Sequence, residues 1–539
     1  VIDDTSTSAT TIELSKRIAT MKFSMCAALV GVALLASAAN ASAQATGSVR
    51  LAITLKLHDT AELEKVIAAQ TDPRSPEYAH FLTPAAFQAA YAPTQAEYHA
   101  TIAALTARGF TIVRTMRDRS LVDVSASAST IAATFGSEPR VGWTPAIDPV
   151  ALPYVGSISG NESVATTQQS GTAGQQFHVP SQAPTASNGR YVGSDGGYAP
   201  AALEAAENFP ILHGYNGRGM TLADVIDAAP DPSIVSYLGY LGISPLPSAP
   251  TVIDVNGTPG QDTISADFDT VWLLGTAPGA NLDVYAVPSL TNGNIVDALD
   301  RVVSDDAADV INLSFAACEP NPTLTDALIP IVARASALGM TIEAPDFGGL
   351  NQCALGNQFV PEIPADIPEV IAVGGSSVIT STKHAVTAES ALFESGGGVS
   401  VVVPLPDEQK RIPGVNPAGR NVPDFVIASE IDGVGPTLLI YFTNVPNPNN
   451  PGAGGMLAEI AQYSGHRLGA FGRTMYRAFS TFGYGSAFED VTRGCNGIVN
   501  AADVCAVPGY DLTSGIGSVD AMLLAELTQP SAMKRGASR

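Results

Sequence analysis

Asp267-Phe268-Asp269-Thr270-Val271-Trp272-Leu273-Leu274-Gly275-Thr276-Ala277-Pro278-Gly279-Ala280 is the stretch that decides the fold. Asp267 to Leu274 reads as a helix, and the short apolar run from Leu282 to Val287 reads as a buried strand. The same alternation extends outward. Met220 to Ile226 is a strand upstream, and Val310 to Phe315, Thr341 to Glu343 and Val370 to Val373 are further short apolar strands with helices between them. Such strands, spaced by helices, predict an α/β fold with a doubly wound parallel sheet covered on both faces. Gly217-Arg218-Gly219 precedes a strand instead of following one, so it is not a dinucleotide loop. No internal repeat is evident.

A different pattern comes first. Val49 to Leu57 alternates like a strand, Thr60 to Gln70 and Gln95 to Arg108 read as amphipathic helices, and Thr111 to Arg114 and Leu121 to Val124 read as strands. These place an α+β unit over residues 47–155. Residues 156–190 are rich in Gly, Ser, Thr, Gln and Pro and read as a linker. The α/β domain then spans 191–529. Residues 21–43 read as a secretory signal, with Lys22, an apolar core from Cys26 to Leu35, and Ala41-Ser42-Ala43 before Gln44. That core is too short to span a bilayer, and no other segment qualifies. Residues 1–20 are polar, precede a better start at Met21, and are expected to be over-extended translation. The expectation is a secreted protein, extracellular or periplasmic, with no membrane span, acting as a monomer.

A chain of 539 residues calls for two or more domains. Its net charge of −24 comes from 27 basic and 51 acidic residues, which argues against a nucleic-acid partner. The charge fits acidic surroundings, and equally a plain acidic soluble protein. With Cys26 lost in the signal, Cys318, Cys353, Cys495 and Cys505 remain, and three pairings are possible. Local closure favours Cys318–Cys353 and Cys495–Cys505. No Cys-x-x-Cys supports zinc or redox chemistry, and the seven histidines form no His-Glu-x-x-His.

Leu439-Ile440-Tyr441-Phe442-Thr443-Asn444-Val445-Pro446-Asn447-Pro448, leading into Gly454-Gly455-Met456-Leu457-Ala458-Glu459-Ile460, resembles the Gly-Gly-Thr-Ser-Ala-x-x-Pro nucleophile turn of the sedolisins. These are acid-acting serine-carboxyl peptidases with a subtilisin-like fold. Thr443 and Pro448 match; Tyr441 and Phe442 replace the glycines, and Asn444 takes the position of the serine. The helix quoted first resembles the family helix that holds Glu-x-x-x-Asp before Ala-Pro-Gly-Ala. One helical turn puts both carboxylates on one face, the glutamate as general base and the aspartate holding it. The aspartate position is Asp269 and the glutamate position is Ser265. Asp267, two residues from Asp269, points to another face. Gly339-Met340-Thr341-Ile342-Glu343-Ala344-Pro345-Asp346-Phe347-Gly348 resembles the strand and loop carrying the family's oxyanion aspartate, which Asp346 matches, although Gly-Asp-Ser-Gly has become Pro-Asp-Phe-Gly.

Phe488-Glu489-Asp490-Val491-Thr492 and Val507-Pro508-Gly509-Tyr510-Asp511-Leu512-Thr513-Ser514-Gly515-Ile516-Gly517-Ser518 resemble the family's calcium loop. The resemblance implies calcium held by carboxylates of Asp490 and Asp511 and carbonyls of Val491, Val507 and Gly509. Ser395-Gly396-Gly397-Gly398-Val399-Ser400 and Arg420-Asn421-Val422-Pro423-Asp424 look like family scaffold motifs. Ser75-Pro76-Glu77-Tyr78, Phe81-Leu82-Thr83-Pro84 and Gly109-Phe110-Thr111 resemble the kumamolisin-like activation propeptide, which inhibits and helps fold the domain behind it, with the linker as the site of severance. The family activity is serine-type endopeptidase. An amide cannot act as an acyl-transfer nucleophile, and losing nucleophile or base removes most of the acceleration. The expected protein is therefore a catalytically impaired homologue that engages a peptide or protein ligand. The alternative is an active acid serine-carboxyl endopeptidase with a rearranged site, for which Thr443 is the obvious candidate.

Overall fold

The N-terminal lobe is built from strands β1 (Val49–Leu55), β2 (Thr111–Thr115), β3 (Leu121–Ala126) and β4 (Val155–Ser159) and helices α1 (Thr60–Gln70), α2 (Pro84–Ala90), α3 (Gln95–Ala107) and α4 (Ala128–Phe135). The computed structural model describes residues 48–140, 142–160, 191–194, 196–243, 245–260, 263–346, 353–356, 358–437, 451–497 and 504–536. The strand order is β2-β3-β1-β4. Hydroxyl caps set where three helices begin. Thr83 accepts from the Ala86 N–H, Ser127 accepts from the Thr130 N–H, and Thr94 and Glu97 form a reciprocal capping box. Residues 156–159, which composition assigns to the linker, are the last strand of this sheet, with Ala52 paired to Ser159 and Ile53 to Ile158. The small polar residues there suit a strand whose Ser157 hydroxyl hydrogen-bonds the buried Thr54 hydroxyl across the pair.

The second lobe runs α5 (Pro200–Ala206), β5 (Thr221–Ile226), α6 (Ile234–Tyr240), β6 (Thr251–Asp254), α7 (Thr263–Thr276), β7 (Asn281–Ala286), α8 (Asn292–Asp305), β8 (Val310–Leu313), α9 (Pro322–Ala337), β9 (Thr341–Pro345), β10 (Val370–Thr380), β11 (Val386–Ala391) and β12 (Phe425–Ile431). It ends with α10 (Gly452–Ser464), α11 (Phe471–Phe482), β13 (Phe488–Glu489), β14 (Ser518–Val519), α12 (Ala521–Leu527) and α13 (Pro530–Gly536). Among the described residues the sheet order is β13-β14-β12-β10-β9-β8-β5-β7-β6, with β11 antiparallel to β10. The strands from β12 to β6 are parallel, and β5 sits where the order reverses, β7 and β6 on one side and β8 and β9 on the other. Ligands of open α/β sheets gather at such a reversal.

Side chains alternate between the two faces. Leu222, Val284, Ile371 and Val373 share a core with Val271 and Leu274 of α7 and Met456 and Ile460 of α10. Ala223, Val225, Ile311 and Ile342 share the opposite core with Leu299 and Val302 of α8 and Ile331 and Ala335 of α9. Ala52, Leu63, Ile67, Phe87, Tyr91 and Leu121 of the N-terminal lobe belong to this second core. Residues Arg50–Arg539 accordingly form one compact unit. Cys318–Cys353 and Cys495–Cys505 are disulfide-bonded, as local closure predicts. Among the described residues no helix is long and apolar enough to cross a membrane.

Candidate active site

Helix α7 lies on the sheet face opposite the N-terminal lobe. Ser265 and Asp269 are one turn apart on it and therefore share a face. Asp269 is wholly buried, and Ser265 is buried beside the start of the helix. Asp267 serves elsewhere: its Oδ1 accepts the Asp231 backbone N–H at 2.6 Å, tying down the loop that follows β5. No carboxylate therefore stands one turn before Asp269, and the hydroxyl of Ser265 has no useful basicity.

Beneath Asp269 the sheet carries a row of polar side chains. Asp224 of β5 pairs in register with Asn312 of β8, which pairs with Glu343 of β9. Residues in register on parallel strands point to one face, so all three project toward α7 and α10. The Asn312 amide donates to Asp224 Oδ1 at 2.8 Å and to Ser314 Oγ at 2.7 Å. Burial, reinforced by Asp224 and Glu343, pushes the Asp269 carboxyl well above the ordinary carboxylate range. Burial also raises Asp224, to about 7, and burial together with Asp224 raises Glu343 to about 8. Three carboxyls sealed from water cannot all ionise, so the row holds protons at acid pH. Burial and the neighbouring carboxyls thereby favour the protonated form of Asp269 at acid pH. Asp224, Asn312, Ser314 and Glu343 escape a reading of the sequence because each is a polar residue within a mostly apolar run. The available signal is that three neighbouring strands are each interrupted this way.

Helix α10 reaches this row through two glycines. A Cβ on Gly455 would stand 1.9 Å from Thr276 Oγ1 and 3.1 Å from the Leu273 carbonyl of α7. One on Gly454 would stand 2.8 Å from the Leu273 side chain and 3.0 Å from Glu343 Oε1. Only glycine lets α10 lie this close to α7 and β9.

Asp346 is buried directly beyond β9, its N–H donating to the Val373 carbonyl at 2.9 Å and its carbonyl accepting from Gly396 at 2.9 Å. Residues 347–352, which follow it, lie outside the described residues, as do Thr443, Asn444 and the rest of 438–450. Helix α10 begins at Gly452, just after Pro451. Taking Pro451 as the proline of the nucleophile motif shifts the register by three and puts Asn447 at the serine position instead of Asn444. Both registers place an asparagine there.

The C-terminal loop brings the two remaining aspartates close. Asp490 Oδ2 accepts the Gly509 N–H at 2.9 Å. Asp511 accepts N–H groups of Val507 at 2.9 Å, Thr513 at 2.9 Å and Ser514 at 2.8 Å. Tyr484 lies beside both, its hydroxyl pushed up by burial and then by Asp490 and Asp511. Asp490 Oδ1 is buried without a hydrogen-bond partner. Val491 is buried, Val507 is half exposed, and Gly509 has a φ of +93°. An orphaned carboxylate oxygen within a loop of backbone carbonyls fits a hard cation that takes oxygen ligands.

Residues 36–139 match the family described as Pro-kumamolisin, activation domain. Sedolisin of Pseudomonas sp. (strain 101) is 26% identical over 528 residues, covering 87% of this chain and 85% of that protein. Xanthomonalisin of Xanthomonas sp. (strain T-22) is 24% identical over 569 residues, covering 91% and 67%. Among solved structures, Pseudomonas sedolisin, a serine-carboxyl proteinase complexed with two molecules of pseudo-iodotyrostatin, aligns with a TM-score of 0.53 at 22% identity, over 62% of this chain and 99% of that one. The architecture is a subtilisin-like α/β fold behind an activation domain. These matches support membership of the sedolisin family.

Proposed function

We propose that this protein is a secreted, catalytically impaired sedolisin homologue that keeps the peptidase fold to engage a peptide or protein ligand. The observation that carries this reading is the double substitution: Ser265 at the base position and asparagine, Asn444 or Asn447, at the nucleophile position. Acyl transfer needs a hydroxyl or thiol that a neighbouring base deprotonates, and here both groups are missing. The buried row supports the reading, because burial favours the protonated form of Asp224, Glu343 and Asp269 at acid pH, where they do not replace the missing base. Asp346 keeps a family position at the end of β9, but donation to an oxyanion has no consequence without an attacking group.

The same proposal includes a calcium ion, held by Asp490 and Asp511 and the carbonyls of Val491, Val507 and Gly509. Bound there, calcium supplies positive charge that ties the two halves of the C-terminal loop together; it takes no part in peptide cleavage. The chain's own residues already arrange the loop, Asp511 by gathering three N–H groups and Asp490 by holding Gly509.

The test is an assay of the purified protein against an unfolded protein substrate at acid pH. No cleavage above buffer is expected. Cleavage that is lost on Thr443→Ala would establish the rearranged active peptidase instead.

A further inference from the structure

We propose that the N-terminal lobe is a permanent part of this protein, not a releasable inhibitor: a cut anywhere in residues 161–190 leaves the two pieces associated, in acid as well as at neutral pH.

Three features of the contact carry this. The first is a shared core. Leu63, Ile67, Phe87 and Leu121 are buried with Leu299, Val302, Ile331 and Ala335 in one cluster, so separation would open apolar surface on both pieces. Phe81 sits in a slot that only glycine allows: Cβ atoms on Gly339 and Gly469 would lie 2.6 and 2.7 Å from its ring. Tyr78 meets His466 edge-on at 5.4 Å. The second is main-chain exchange. Leu82 N–H donates to the Ala337 carbonyl at 2.9 Å, and Gly293 N–H donates to Gly160 at 2.8 Å.

The third is polar satisfaction across the boundary. The end of α1 leaves carbonyls that α1 itself cannot pair. Helix α11 pairs them: Thr474 Oγ1 and Arg477 Nη1 donate to the Thr71 carbonyl at 2.7 and 2.8 Å, and Arg477 Nη2 donates to Ala68 at 3.3 Å. Cationic side chains at a helix C-terminus also complement its dipole. Arg473 beside them holds Glu64 and Glu369, near Glu408, while Asp72 faces Arg74 and Arg477.

At the other end, Asp118 and Asp123 of the N-terminal lobe and Asp297 and Asp300 of α8 face Arg50, Arg114 and Arg334. Ser120 donates to Asp300 at 2.8 Å, Asn256 donates to Asp297 at 2.6 Å, Ser304 binds Arg334, and Tyr98 lies near Asp123 and Asp300. Four carboxyls thus meet three guanidiniums, so the docked patch is balanced when one carboxyl carries a proton. Burial, then Asp123, raises Asp297, and burial raises Asp300 to about 7. The sign follows: a carboxyl raised by docking penalises the docked state above its raised value, and the penalty fades as pH falls toward the ordinary carboxylate range. Mild acid therefore tightens this patch.

The experiment places a site for a sequence-specific protease within 161–190, cuts the purified protein with that added protease, and follows the pieces by size exclusion and by dissociation rate. Because the cut is external, the outcome does not depend on whether the protein cleaves itself. Co-elution at about pH 8 and about pH 5 is expected, with dissociation at least roughly tenfold slower in acid. Elution of the N-terminal piece alone at about pH 5, or faster dissociation there, would overturn the proposal. The pair Asp297→Asn with Asp300→Asn should remove the pH dependence; its persistence would overturn the assigned patch. Arg477→Ala, at the far end, should speed dissociation equally at both pH values, and an unchanged rate would show that the α1 contact contributes nothing.

Discussion

Two side chains carry the proposed loss of activity. The sequence points to Ser265 and to the asparagine at the nucleophile position through the motifs around them: Ala277-Pro278-Gly279-Ala280 after the helix and the glycine pair before Met456. The acidic row beneath Asp269 was not legible there, because Asp224, Asn312 and Glu343 become neighbours only through the register of β5, β8 and β9. That row makes a prediction. Asp224 and Glu343 are raised to about 7 and about 8, so the folded state keeps protons that the unfolded chain releases near the ordinary carboxylate range. Stability is highest in mild acid and falls as pH rises through those values, by roughly 1.4 kcal/mol per pH unit for each such proton. Thermal unfolding should show a higher Tm at about pH 5 than at about pH 8, and Glu343→Gln should shrink the difference. A Tm that rises steadily from acid to neutral pH would contradict the assigned row.

At the scale of elements, helix α10 and the C-terminal loop each rest on a local device. In an open helix Gly455→Ala would stabilise by about 1 kcal/mol through propensity. Here the added methyl meets Thr276 and Leu273 of α7, and overpacking of this kind costs about 1–3 kcal/mol. Denaturant unfolding should therefore show Gly455→Ala as destabilised, with partial recovery on adding Thr276→Ala; a more stable single variant would show that the helices are not in contact as described. In the loop, chelation should lower the Tm of the wild-type protein, and Asp511→Ala should abolish that sensitivity. An unchanged wild-type Tm in chelator at neutral pH would remove calcium from the account. Strands β5, β7, β8 and β9 were readable because they are apolar and short, whereas β4 was not. Gly156-Ser157-Ile158-Ser159 has the composition of a linker, and only pairing with Ala52 and Ile53 makes it a strand.

For the whole molecule, an activation domain ahead of an α/β domain was readable from motifs and from the spacing of strands, and both disulfides from loop closure. That the two lobes share one core was not, because Leu63 and Phe87 read simply as the apolar face of their own helices. The central claim is that a peptidase fold persists here without a working nucleophile and base. An active member of the family would be expected to sever its own propeptide in acid. The most direct measurement is therefore the chain length of purified wild-type protein, free of other proteases, after acidification. The account predicts that it stays full length from about Gln44. Spontaneous, concentration-independent cleavage within 156–190 in acid, abolished by Asp269→Ala, would contradict it.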